Sequence, residues 1–124
     1  MKETIKINIT DVTGSNICVS TEDGAAVNEK LNIAWDQDKR IELDFQGVDL
    51  LISAFLNSAI GRLVKEHSIE EIKSRICFRG LSKDDEQLIE RVLVNAKAYY
   101  ADPDKFKRAL DEEESEEDED ENEK

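Results

Sequence analysis

The sequence predicts one α/β domain in two layers, a mixed sheet of about four strands with helices mainly on one face. Three observations carry this. Apolar and polar residues alternate in three short segments, at Ile5, Ile7 and Ile9, at Ile41, Leu43 and Phe45, and at Ile76 and Phe78. Between these segments apolar residues recur at helical spacing. Alternation buries one sheet face and leaves the other wet, so the helices are expected on the buried side.

Each element follows from its residues. Residues 4–9 read as a strand of period two. Gly14-Ser15-Asn16 is a turn signal, after which residues 17–20 are expected to return as a short strand and form a hairpin with the first. Thr21-Glu22-Asp23-Gly24 offers cap and turn residues. Val27, Leu31, Ala34 and Trp35 then share one face of a helix over residues 23–37. Ile41, Leu43 and Phe45 mark a second, central strand ended by Gly47.

From Ile52 a continuous stripe of Phe55, Leu56, Ala59, Ile60, Leu63 and Val64 predicts an uninterrupted helix. Ile69 and Ile72 fall in a connecting stretch with room for a further helical turn, and residues 75–79 form another strand closed by Gly80. Ser82, Asp84 and Asp85 suit a helix start, where free N–H groups and the positive dipole end favour them. Leu88, Ile89, Val92, Leu93, Ala96, Tyr99 and Tyr100 make that helix long and amphipathic. After Asp102-Pro103-Asp104, Phe106 and Leu110 can staple one more short helix to the body.

With 124 residues there is room for one core. Of the net charge of −13, residues 111–124 carry −10, from 11 acids and one lysine, which leaves 19 acids against 16 bases in residues 1–110. The expected organisation is a domain over 1–110 and a disordered acidic tail over 111–124, which would solvate the chain or compete for basic surfaces. Ser115 among the acids fits an acid-directed phosphosite.

No run approaches the roughly 18 apolar residues of a membrane span. Met1-Lys2-Glu3-Thr4-Ile5-Lys6 lacks the apolar stretch of a signal peptide, so a cytoplasmic address is expected. Cys18 and Cys77 stand alone, as expected of two partly buried thiols in a reducing compartment.

The residues offer little chemistry. His67 is a lone histidine between Glu66 and Ser68 and is expected at the surface, with no metal-binding partners at a recognisable spacing. The five glycines are scattered, so neither a dinucleotide fingerprint nor a P-loop is present. Arg75, Arg79, Lys83 and Arg91 are dispersed among acids, which argues against nucleic acid. One His and two isolated Cys assemble no acid, base or nucleophile set. No enzyme activity, cofactor or metal is expected unless Asp44 and Asp49 pair across a deep pocket.

The informative segment runs from Leu43 to Asn57, strand through loop directly into helix. Such loops are where α/β sheets display their sites. Ser53 lies close enough to the helix start to favour an added phosphate, although on the residues alone a capping or small buried hydroxyl is the favoured reading.

Here the sequence resembles the STAS-like family of small bacterial proteins, a domain of unknown function related to sulphate-transporter and anti-sigma-factor-antagonist domains. The resemblance begins near Glu22-Asp23-Gly24 and takes in Leu43-Asp44-Phe45-Gln46-Gly47-Val48 and Ser53-Ala54-Phe55-Leu56-Asn57. It continues through Gly61-Arg62-Leu63 and Arg75-Ile76-Cys77-Phe78 to the helix from Leu88 to Tyr100.

The resemblance implies a STAS-like two-layer fold and a non-enzymatic regulatory module. By that likeness it would work through partner switching with a histidine-kinase-like ATPase. Ser53 matches the position that is phosphorylated in the antagonists, and Val48, Asp49, Leu50, Ser53, Asn57 and Ser58 become the candidate partner-binding residues. The antagonists carry an Asp-Ser-Ser-Gly type sequence where this chain reads Ile52-Ser53-Ala54-Phe55. Docking therefore carries over more directly than phosphorylation. The alternative makes the acidic tail the functional element, binding a basic protein surface with the folded body as carrier.

Overall fold

Isoleucine, leucine and phenylalanine at every second position build the central sheet, seen in a computed structural model that describes residues 3–101. In chain order the elements are β1 (Thr4–Asn8), α1 (Ile9–Thr13), β2 (Ile17–Cys18), α2 (Thr21–Asp36), β3 (Arg40–Asp44), β4 (Leu50–Leu51), α3 (Ser53–Ala59), a 3-10 helix (Gly61–Lys65), α4 (Ile69–Arg75), β5 (Ile76–Arg79) and α5 (Lys83–Ala101). β1 and β5 flank β3, all parallel, with Ile5 beside Ile41 beside Ile76 and Ile7 beside Leu43 beside Phe78.

That register stacks the apolar residues on one face against the helices, where Ile7, Ile41, Leu43 and Ile76 are buried. The other face carries Lys6, Glu42, Cys77 and Arg79. Lys6 pairs with Asp44 at 3.5 Å and Arg79 with Glu42 at 3.9 Å. The wet face expected from the alternation is present.

The strand pairing differs from expectation. The expected hairpin does not form, because Ile9–Thr13 leaves β1 as a helical turn that ends at Gly14 in the left-handed region. That turn carries β2 away from β1, and β2 pairs instead with β4, parallel, Ile17 beside Leu50 and Cys18 beside Leu51. The described residues thus hold a three-stranded and a two-stranded sheet, both parallel, rather than one mixed sheet of about four strands. Parallel neighbours need a crossover connection, and α2 supplies it between β1 and β3.

Close packing of α2 on α3 depends on three residues. Gly24 brings its backbone against α3, where an added Cβ would lie 2.5 Å from the Phe55 carbonyl oxygen. Buried Asn28 donates to the Ala59 carbonyl at 3.1 Å, and the Ser58 hydroxyl donates to the Thr21 carbonyl at 2.7 Å. The expected uninterrupted helix from Ile52 breaks at Ile60, where α3 gives way to the 3-10 helix. Gly61 sits at the break, its Cα side within reach of Val92 and Ala96 of α5, so the tighter turn lets α5 approach.

Caps fix the helix starts. Ser20 accepts from the Asp23 N–H, Ser82 accepts from the Asp85 N–H, and Ser68 with Glu71 forms a full capping box that makes α4 a helix. His67 is half-buried rather than surface-exposed, its ring stacked on Trp35 at 4.0 Å. The Arg75 guanidinium lies 4.4 Å from the centre of the same indole ring and donates to the carbonyls of Trp35 and Lys39.

The two thiols differ. Cys77 is exposed because it faces the open side of the sheet, whereas Cys18 is buried. Burial, with a smaller contribution from the Asp23 carboxylate, pushes the Cys18 thiol above its ordinary value. A raised pKa on an acid keeps the folded form protonated after the unfolded thiol has begun to ionise. This contribution to stability is therefore full below the ordinary thiol value and lost as pH rises past it. An alkylating reagent should label Cys77 at native pH, with Cys18 modified only on unfolding, and Cys18→Val should flatten the alkaline loss of stability measured by denaturant titration.

Among the described residues no helix is long and apolar enough to cross a membrane. The short helix expected at Phe106 and Leu110, the acidic tail over 111–124 and Ser115 lie outside the described residues.

Candidate functional site

The two-stranded sheet builds the site. Its length is extended on both sides by backbone bonds, the Asp49 N–H donating to the Asn16 carbonyl at 2.7 Å and the Ile52 N–H to the Cys18 carbonyl at 3.2 Å. Side chains alternate along such strands. Cys18 and Leu51 point inward and are buried, so Ile17, Val19, Leu50 and Ile52 share the outward face. They are 40%, 38%, 48% and 36% exposed, four of the seven exposed large apolar side chains among the described residues. Scattered apolar residues are ordinary at a surface, but a row of four on one small sheet is a patch.

The patch leads directly into α3. Ile52 is the N-cap of that helix and brings no side-chain bond to it, and Ser53, its first residue, is exposed. One turn on, Asn57 is exposed as well, and Ser53 and Asn57 line a groove of about 470 Å³ between α3 and α5 with Arg91, Asn95 and Tyr100. Polar hydrogen-bonding groups and one guanidinium thus line a groove that begins at Ser53, the residue after Ile52.

Of the six residues expected to bind a partner, the fold brings Asp49, Leu50, Ser53 and Asn57 to this surface. Asp49 is exposed and its carboxylate accepts from the Asn16 amide at 2.5 Å, tying the loop before β4 to the loop before β2. Val48 is half-buried against the core, its N–H bonded to the Phe45 carbonyl at 3.0 Å. Ser58 does not belong to the surface: it is 5% exposed and its hydroxyl joins α3 to α2. Ile17, Val19 and Ile52 were not singled out by the sequence, because a short apolar strand gives no sign of which face meets the core.

Asp44 and Asp49 do not act as a pair. Asp44, nearly buried, meets Lys6 and accepts from the Gln46 N–H at 2.9 Å, whereas Asp49 is engaged with Asn16. Among the described residues no group of three or more His, Cys, Asp or Glu side chains could hold a metal ion.

A family model described as a STAS-like domain of unknown function matches residues 23–86, from the first turn of α2 to the start of α5, with β4 and Ser53 inside the match. No curated protein and no solved structure matches the chain.

Proposed function

Because the chain belongs to the STAS-like family, we propose that it is a non-enzymatic regulatory module that works by binding a partner protein. The observation that supports this most directly is the surface from β4 into α3, where Leu50, Ser53 and Asn57 are all exposed along a strand-to-helix entry. A histidine-kinase-like ATPase is the partner class that the family resemblance suggests.

Ser53 is the candidate switch in this reading. A phosphate there would stand in the groove that Arg91 also lines and would add charge beside the apolar row. Either effect changes docking: the charge has to be desolvated, or Arg91 captures it and reorders the helix entry.

Affinity purification from the source cell with the full chain, a chain lacking residues 111–124 and a Ser53→Asp chain tests the proposal. The expected result is recovery of an ATPase of this class by the full and the tail-deleted chains, with recovery changed about tenfold or more by Ser53→Asp, and unchanged recovery overturns Ser53 as the switch. Recovery of an unrelated protein overturns the partner class. Loss of the partner on tail deletion alone favours the acidic tail as the binding element.

A further inference from the structure

We infer that the outward face of the β2 and β4 sheet, formed by Ile17, Val19, Leu50 and Ile52, is a docking site for a partner whose apolar side chains are set in a ring of lysine and arginine. The inference rests on the binding-module reading and assigns it a surface and a partner chemistry.

The register of β2 and β4 makes this face apolar. Ile17 sits beside Leu50, and the Ile52 N–H continues the ladder to the Cys18 carbonyl, so the four exposed side chains form one row. No described segment covers it, since all four remain at least a third exposed. Burying such a row against another apolar surface removes it from water.

The basic rim follows from charge. Residues 7–29 and 41–61, the two stretches that contain β2 and β4, hold seven acids and neither lysine nor arginine, although the chain has 17 basic residues elsewhere. Glu42 and Asp44 are met by Arg79 and Lys6. Asp49 immediately precedes Leu50, and Glu22 and Asp23 open α2 three and four residues after Val19, so acids stand at both ends of the row.

This pattern selects the occupant. A second copy would bring acid against acid between chains of net charge −13. An anionic lipid surface would meet the same repulsion. A protein carrying lysine or arginine around an apolar centre meets neither cost, and its charges raise the rate of encounter.

The test uses the full chain with labelled isoleucine, leucine and valine methyl groups, titrated with three synthetic peptides of equal length: leucine with lysine, leucine with glutamate, and serine with lysine. The methyl resonances of Ile17, Val19, Leu50 and Ile52 should shift with the leucine and lysine peptide, with apparent affinity about tenfold or more above the other two. In Ile17→Ser/Leu50→Ser, whose remaining spectrum reports an intact fold, the preference should disappear.

Equal response to the leucine and glutamate peptide overturns the basic rim. Unmoved strip methyls overturn the surface, and methyl shifts that depend on the concentration of the chain alone replace the partner with a second copy. Failure of the binding-module reading is seen separately, as absence of a specific partner in capture by the wild-type chain.

Discussion

Gly24→Ala is expected to lower stability by about 3 kcal/mol, at the upper end of the cost of overpacking a core. The sign is opposite to that of helix propensity. Gly24 lies in the first turn of α2, where alanine would ordinarily gain about 0.5–1 kcal/mol over glycine. Here the added carbon would lie 2.5 Å from the Phe55 carbonyl oxygen and 2.7 Å from Ser58 Cβ.

Neither neighbour is the far end of a flexible chain, so α2 and α3 have to separate. Separation also strains the Ser58 bond to Thr21 and the Asn28 bond to Ala59. A urea titration of Gly24→Ala with an unchanged slope and a lowered midpoint is the expected result. Unchanged or increased stability would mean that the helices do not cross at this closeness.

Gly80→Ala is expected to cost about 3 kcal/mol as well, for two additive reasons. Gly80 has φ +75, a left-handed conformation that a side chain disfavours, and its added Cβ would lie 2.6 Å from the Gln46 backbone nitrogen. The second contact links stability to the site. Gln46 is held by the Asp44 carboxylate, and the chain from Gln46 to Asp49 delivers Leu50 to β4.

Backbone amide resonances of residues 46–50 should therefore shift in Gly80→Ala while those of α4 stay in place. Gly14→Ala is the comparison: it shares the left-handed φ, at +71, but nothing lies within 4 Å of its added carbon. Only the conformational part of the cost, about 1–2 kcal/mol, should appear there.

The strands of the central sheet were legible because their alternation is long enough to have one meaning. Ile41 and Leu43 are buried while Glu42 lies on the wet side, as period two requires. The helix start at Ser82 was legible from cap chemistry, whereas α2 begins at Thr21 with Ser20, expected to end the preceding strand, as its cap, two residues ahead of the expected start at 23; Ser68 with Glu71 carries the same kind of signal for α4 in four residues.

Pairing was not legible. Gly14-Ser15-Asn16 is a turn, but α1 sets the direction in which the chain leaves it, and whether β2 meets β1 or β4 is decided by contacts more than thirty residues apart, such as Asn16 with Asp49. The binding surface was half legible for a related reason. The loop-to-helix entry at Ser53 reads from local signals, whereas the apolar row needs the register of two short strands that are distant in sequence. The buried position of Ser58 likewise depends on α2, which comes from another part of the chain.

Hydrogen exchange of the full chain with and without its captured partner tests the central claim most directly. Binding through the β2, β4 and α3 surface predicts slowed exchange in residues 17–20 and 48–57, with residues 4–8 and 76–79 unchanged. Protection confined to the central sheet, with residues 17–20 and 48–57 exchanging as in the free chain, would contradict it.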